Sequence, residues 1–162
     1  SLGDGVIDKV LVADFEPGII DAYQDEDKMW HLLSYMDVRD FWMTDMNVKG
    51  TQRIRNDIYA TLNNSEKTIR SHKVSPCWAE ISYMNTFSKH FSRRDYLLGW
   101  VFAFIKEQYG FAIQLAVDGR AKYGDGLFCE LEQQARQKMR GAIGKSCAYY
   151  LKRAFTKLEE LL

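Results

Sequence analysis

Seven bases stand between Gln133 and Leu158 with no acid among them: Arg136, Lys138, Arg140, Lys145, Lys152, Arg153 and Lys157. Cations gathered on one element attract phosphates or an acidic protein surface. Lys138, Lys145 and Lys152 recur every seven residues, so a helix would hold them on one face. Met139, Ala142, Cys147, Leu151, Ala154 and Leu158 would occupy much of the other side. If this face met DNA, each phosphate contact would add a salt-dependent contribution. The same face is equally suited to packing near the acids of the N-terminal third, closing the molecule on itself.

A second set of polar residues lies between Ile58 and His72. Here the sequence suggests a helix ending at Leu62, a turn at Asn63-Asn64, and a new helix capped by Ser65. The second helix would bury Ile69 and expose Lys67, Thr68, Arg70, Ser71 and Lys73, with Arg53 and Arg55 adding cations at the start of the first. Cations for phosphates and polar side chains for base edges are what a recognition helix needs. The segment resembles the LuxR/GerE-type helix-turn-helix, with matches at Ile58, Leu62, Ser65, Thr68, Ile69 (for valine) and His72. The resemblance implies that Lys67, Thr68, Arg70, Ser71 and Lys73 face DNA. It covers about 20 of the 162 residues, and it departs from the family at two points. Tyr59 replaces a small alanine, and Pro76 shortens the second helix. Without DNA, the segment would be a solvated corner between two helices.

Other motifs do not carry chemistry. Gly141-Ala-Ile-Gly-Lys-Ser146 is similar to the end of a phosphate-binding loop, but Met139 stands where the first glycine is required, and a helix rather than a strand precedes it. Asp25-Glu26-Asp27, with Asp21 nearby, lacks the glycine of a calcium loop and reads as a solvated helix start. His31, His72 and His90 are scattered, and their spacing to Cys77 gives no metal site. No nucleophile elbow, catalytic carboxylate pair or dinucleotide glycine pattern is present. The expectation is a protein that is not an enzyme and uses no cofactor or metal.

The charge around these segments is segregated. The net charge is zero, yet residues 1–48 hold eleven acids against three bases, a net of −8, and residues 49–162 a net of +8. That implies an acidic and a basic face, which could neutralise each other, join copies head to tail, or serve two partners. Cys77, Cys129 and Cys147 are widely spaced and odd in number, as expected of free thiols in a reducing compartment. The N-terminus has no pattern of a secretory leader, and the longest apolar run, Tyr96 to Ile105, is half the length of a membrane span. A cytoplasmic protein without membrane contact is expected.

The elements that would position these residues read as helices. Residues 1–5 look like a frayed start. Val6 to Phe15 is compatible with a strand and, with the turn signal Pro17-Gly18 and Ile19-Ile20, with a short β-hairpin. Helices are expected at Asp25 to Met36, from an Asp37 cap to Gly50, from Gln52 to Asn63 with Ile54, Ile58 and Leu62 inward, and from Ser75-Pro76 through Trp78, Ile81, Met84, Phe87 and Phe91. Ser92 and Asp95 form a capping-box pair for a central helix, Arg93 to Val117, apolar on nearly every side and stopped at Asp118-Gly119. Its line of small or polar positions, Gly99, Ala103, Glu107, Gly110 and Gln114, suits a close neighbouring backbone. A Gly-rich loop leads to a last helical segment, Leu127 to Leu162, with kinks at Gly141 and Gly144. The fold expected is mainly α, one domain of 162 residues bundled around the central helix. Its expected function is DNA binding; the competing expectation is a helical protein-interaction module, such as an inhibitor, an immunity-type protein or an assembly subunit, steered by its segregated charges.

Overall fold

The computed structural model describes residues 4–20, 25–52, 54–61 and 74–141. The chain divides into two compact units, Ser1–Ser88 and Lys89–Leu162. The first runs α1 (Asp4–Ile7), β1 (Val12–Phe15), α2 (Met29–Asp37), β2 (Phe41–Thr51), α3 (Asn56–Tyr59) and β3 (Ser75–Asn85). The second holds α4 (Arg93–Ile105), α5 (Tyr109–Tyr123) and α6, helical over residues 127–141.

The first unit overturns the expectation of a mainly α bundle: it is built on a three-stranded antiparallel sheet of order β1-β3-β2. Two segments expected as helices are its longest strands. In β3, Ala79, Ile81 and Tyr83 alternate with Trp78, Glu80 and Ser82, but Met84 and Asn85 are buried as well. Burial on both faces at that end blurs the two-residue period and leaves Trp78, Ile81 and Met84 at helical spacing. Ser75-Pro76 opens a strand instead of a helix, which proline tolerates because no ladder hydrogen bond is needed from its nitrogen there. In β2 a register shift between Met43 and Asp45 makes Thr44 an extra residue, so strict alternation is lost where it would be recognised.

The N-terminal hairpin does not form. Val12–Phe15 pairs with Met84–Ile81 instead, and the Ile19 and Ile20 amides donate to the Cys77 carbonyl at 2.7 and 3.2 Å. The segment after β1 is tied down by Gly18, whose amide donates to Asp27 and whose carbonyl accepts from Met29 (2.8 and 2.9 Å). A side chain at Gly18 would collide with the Glu26 carboxylate. Glu26 is in turn ion-paired with Lys28 at 3.0 Å, both side chains being 10% exposed or less. The acidic run is therefore not a helix start, since α2 begins at Met29; Asp25 and Asp27 are exposed, but the Glu26 side chain lies buried before the helix. One face of the sheet packs Ala79, Ile81 and Tyr83 against Met36 of α2, with Phe15, Leu32, Leu33, Phe41 and Met43 around them.

In the second unit the Ser92–Asp95 capping box forms as expected: the Ser92 amide donates to the Asp95 carboxylate (2.9 Å), and the Asp95 amide donates to the Ser92 hydroxyl (3.3 Å). The expected central helix is two helices. It breaks at Lys106–Gln108, where Glu107 adopts a left-handed φ of 58° and the Gln108 amide reaches back to the Ala103 carbonyl (2.8 Å). Glutamate is not a residue that announces such a turn. α5 then passes Asp118-Gly119 and stops at Gly124, whose φ of 64° supplies the left-handed cap. Gly99 and Ala103 of α4 are buried, as are Ala112, Leu115, Ala116 and Gly119 of α5, and small residues let the two helices approach closely. Gly110 and Gln114, placed on the same line by the sequence, are exposed. Phe128 and Ala135 of α6 are fully buried.

Candidate nucleic-acid interface

The basic helix is anchored at its start and bare further on. Asp125 accepts the Leu127 amide (2.9 Å) through one carboxylate oxygen and the Arg93 guanidinium through the other. The Leu127 amide and then Arg93 hold the Asp125 carboxyl below the usual carboxylate range. One turn on, Glu132 binds two arginines, Arg120 at 3.2 Å and Arg136 at 2.8 Å. Beyond Glu132 the helix carries Gln133, Gln134, Gln137, Lys138 and Arg140, all exposed, and only Ala135 turns into the core. Arg136 and Arg140 lie four residues apart on one side, and Lys138 on the other. Among the described residues no carboxylate forms an ion pair with Lys138 or Arg140. The helix thus offers exposed cations and amide side chains to solvent, groups of the kind that contact phosphates and sugars. Lys145 and Lys152, expected to extend this face, lie outside the described residues, as do Gly144 and Cys147.

The segment that resembles a helix-turn-helix has an unexpected frame. Thr51 pairs with Ser75 as the last step of the β2–β3 ladder, so residues 52–74 leave and re-enter one end of a strand pair. A side chain at Gly50 would strike the Ser75 carbonyl, which keeps the two strand ends in close contact. Within this insertion only Asn56–Tyr59 is helical among the described residues. Ile58, expected to face inward, is 41% exposed. Arg55 is exposed and clamps Asp57 with two hydrogen bonds of 3.2 and 2.9 Å, which partly neutralises it. Arg53, Lys67, Thr68, Arg70, Ser71 and Lys73 lie outside the described residues. The strand from Ser75 onward sets the limit of any second helix, closer than Pro76 alone suggested.

One polar surface was missed by the sequence reading. The sheet face opposite α2 carries Asp14, Ser82 and Asp45 in one cross-strand row, then Glu80 beside Asn47, then Trp78 beside Lys49. The Ser82 hydroxyl donates to Asp14 at 2.5 Å, and Lys49 pairs with Glu80 at 3.2 Å. Residues so far apart in sequence meet only through the strand register, so no local pattern could reveal them. Among the described residues no three histidine, cysteine or acidic side chains gather as a metal site. Cys77 and Cys129 are free and half-buried, Cys129 accepting a 3.5 Å hydrogen bond from Arg120.

No family model, curated protein or solved structure matches the chain. None of the described helices is long and apolar enough to cross a membrane.

Proposed function

We propose that this chain binds nucleic acid, with the exposed side of α6 and the bases that follow it in sequence as the main phosphate-contacting surface. The observation that carries this reading is the state of Lys138 and Arg140, exposed cations without a carboxylate partner among the described residues, at the head of a stretch without acids. Cations already neutralised by the protein's own acids release few counterions on binding, whereas free ones release their full share. The 52–74 insertion is the second contact element, with Lys67, Thr68, Arg70, Ser71 and Lys73 toward DNA on the strength of the helix-turn-helix resemblance, and Arg53 and Arg55 as further cations beside them. The proposed role is non-catalytic.

A protein-interaction module is the second reading. On α4, Val101, Phe102 and Ile105 are exposed, Ile105 at 71%, and with Leu98 they follow the i, i+3, i+4, i+7 spacing of one helix face. A face of that kind favours a protein partner over a phosphate backbone.

Fluorescence anisotropy with a short labelled duplex and a single strand separates these possibilities. Loss of binding in Lys138→Ala with Arg140→Ala assigns contact to α6, and loss in Lys67→Ala with Arg70→Ala assigns it to the insertion. Absence of binding to either probe at low salt leaves the interaction module.

A further inference from the structure

β2 is an edge of its sheet, and among the described residues no strand pairs with its outer side. An edge of this length is a template for another strand unless something blunts it. In β2 the ladder to β3 shifts register between Met43 and Asp45 and again between Lys49 and Gly50. Between the two irregularities lie five regular residues, Asp45-Met46-Asn47-Val48-Lys49. The first four are exposed, including the apolar Met46 and Val48, at 37% and 48%. Met46 and Val48 stand opposite Ile81 and Ala79, on the α2 side of the sheet; Asp45, Asn47 and Lys49 stand opposite Ser82, Glu80 and Trp78, on the other side.

We infer that this edge pairs with the same edge of a second copy, antiparallel and centred on Asn47, joining two sheets into one of six strands. A two-fold axis perpendicular to the sheet keeps each face on its own side, and directly opposed residues share a face. Centred on Asn47, the axis sets Asp45 opposite Lys49 of the second copy, and Lys49 opposite its Asp45. It sets Met46 opposite Val48 twice on the other face, covering both exposed apolar side chains, and brings the two Asn47 amides together, each able to donate and accept. Centring on Asp45 or Lys49 would oppose like charges, and centring on Met46 or Val48 would leave both charges opposite uncharged residues. Charge complementarity therefore selects one register. Asp45 has no ion-pair partner among the described residues, so its carboxylate is available for this contact, and Lys49, paired with Glu80 in its own chain at 3.2 Å and with its side chain 36% exposed, would bridge Glu80 and the second copy's Asp45. Five residues a side make a small interface, and the association is accordingly weak and concentration-dependent. It is independent of nucleic-acid binding.

Sedimentation equilibrium of the full chain, from about 1 μM to about 1 mM, tests this. The expected result is a rise in mass from one chain to two. Asp45→Lys and Lys49→Asp should each weaken dimerisation about tenfold or more, because two symmetric attractive pairs become repulsive. An equimolar mixture of the two variants should regain wild-type association, since the heterodimer opposes unlike charges at both pairs. A second arm does not depend on the charge variants folding. On mild oxidation Asn47→Cys should give a covalent dimer above the background set by the parent chain's own thiols, whereas Asp45→Cys and Lys49→Cys alone should not. A wild-type mass of one chain at every concentration overturns the proposal. So does association that the single reversals leave unchanged, a mixture no tighter than its components, or cross-linking that is equal at all three positions.

Discussion

Two glycines of α5 offer a controlled comparison, because the same substitution should change stability in opposite directions. Replacing glycine by alanine inside a helix gains about 1 kcal/mol of propensity, less near an end. At Gly110 nothing lies within 4 Å of the position a Cβ would take, so Gly110→Ala should stabilise by about 0.5–1 kcal/mol. At Gly119 that Cβ would lie 2.5, 2.7 and 2.8 Å from three ring carbons of Phe128. The ring cannot swing away: Phe128 is fully buried and stacks on Tyr123 with centroids 6.4 Å apart. Overpacking of this kind costs about 1–3 kcal/mol, enough to cancel the propensity gain and usually exceed it. The two variants should therefore differ by about 1–3 kcal/mol in urea unfolding at 25 °C, with Gly119→Ala the less stable. Combining Gly119→Ala with Phe128→Leu, which removes the opposing ring, should recover part of the loss relative to the two single effects summed. A Gly119→Ala chain as stable as the Gly110→Ala chain would refute the packing of α6 on α5 described above.

Other outcomes follow from charged groups. Ser92 holds Asp95 below the ordinary carboxylate range, and the Leu127 amide and Arg93 do the same for Asp125. Carboxyls depressed in the fold contribute fully above the unfolded value near pH 4 and lose that contribution as pH falls through their folded values. Acid titration of stability should thus show a loss below about pH 4 that is smaller in Asp95→Asn and Asp125→Asn. Burial raises Tyr83 and Tyr96 above the usual phenol range, so in a spectrophotometric titration Tyr83→Phe and Tyr96→Phe should each remove a late-ionising phenol. Lys28→Met removes the ion pair of the buried Glu26 carboxylate; a loss of up to about 3–5 kcal/mol is expected, smaller in the double variant with Glu26→Met, as chemical denaturation would show.

What could be read in the sequence was local. The Ser92–Asp95 box, four residues long, carries its own signal and forms as expected. The sheet was invisible because its pairings are distant: Asp14 meets Ser82, and the strand that would have completed a hairpin with Val12–Phe15 is instead β3. Apolar residues on both faces of β3 and the extra Thr44 in β2 then mimicked helical spacing. The break at Glu107 left no glycine or proline to mark it, and Gly119, read as a stop, is instead a contact point for Phe128. Of the candidate interface, the clustering of bases was plain, but which of them are neutralised depends on Glu132 and Asp57 meeting Arg120, Arg136 and Arg55 in space.

The salt dependence of DNA binding by the wild-type chain, compared with the Lys138→Ala, Arg140→Ala double variant, tests the central proposal most directly. Nucleic-acid binding through α6 predicts that affinity falls steeply with salt and that the slope of log K against log salt becomes shallower by about 2 when two phosphate contacts are removed. A flat salt response, or an unchanged slope in the double variant, would contradict it.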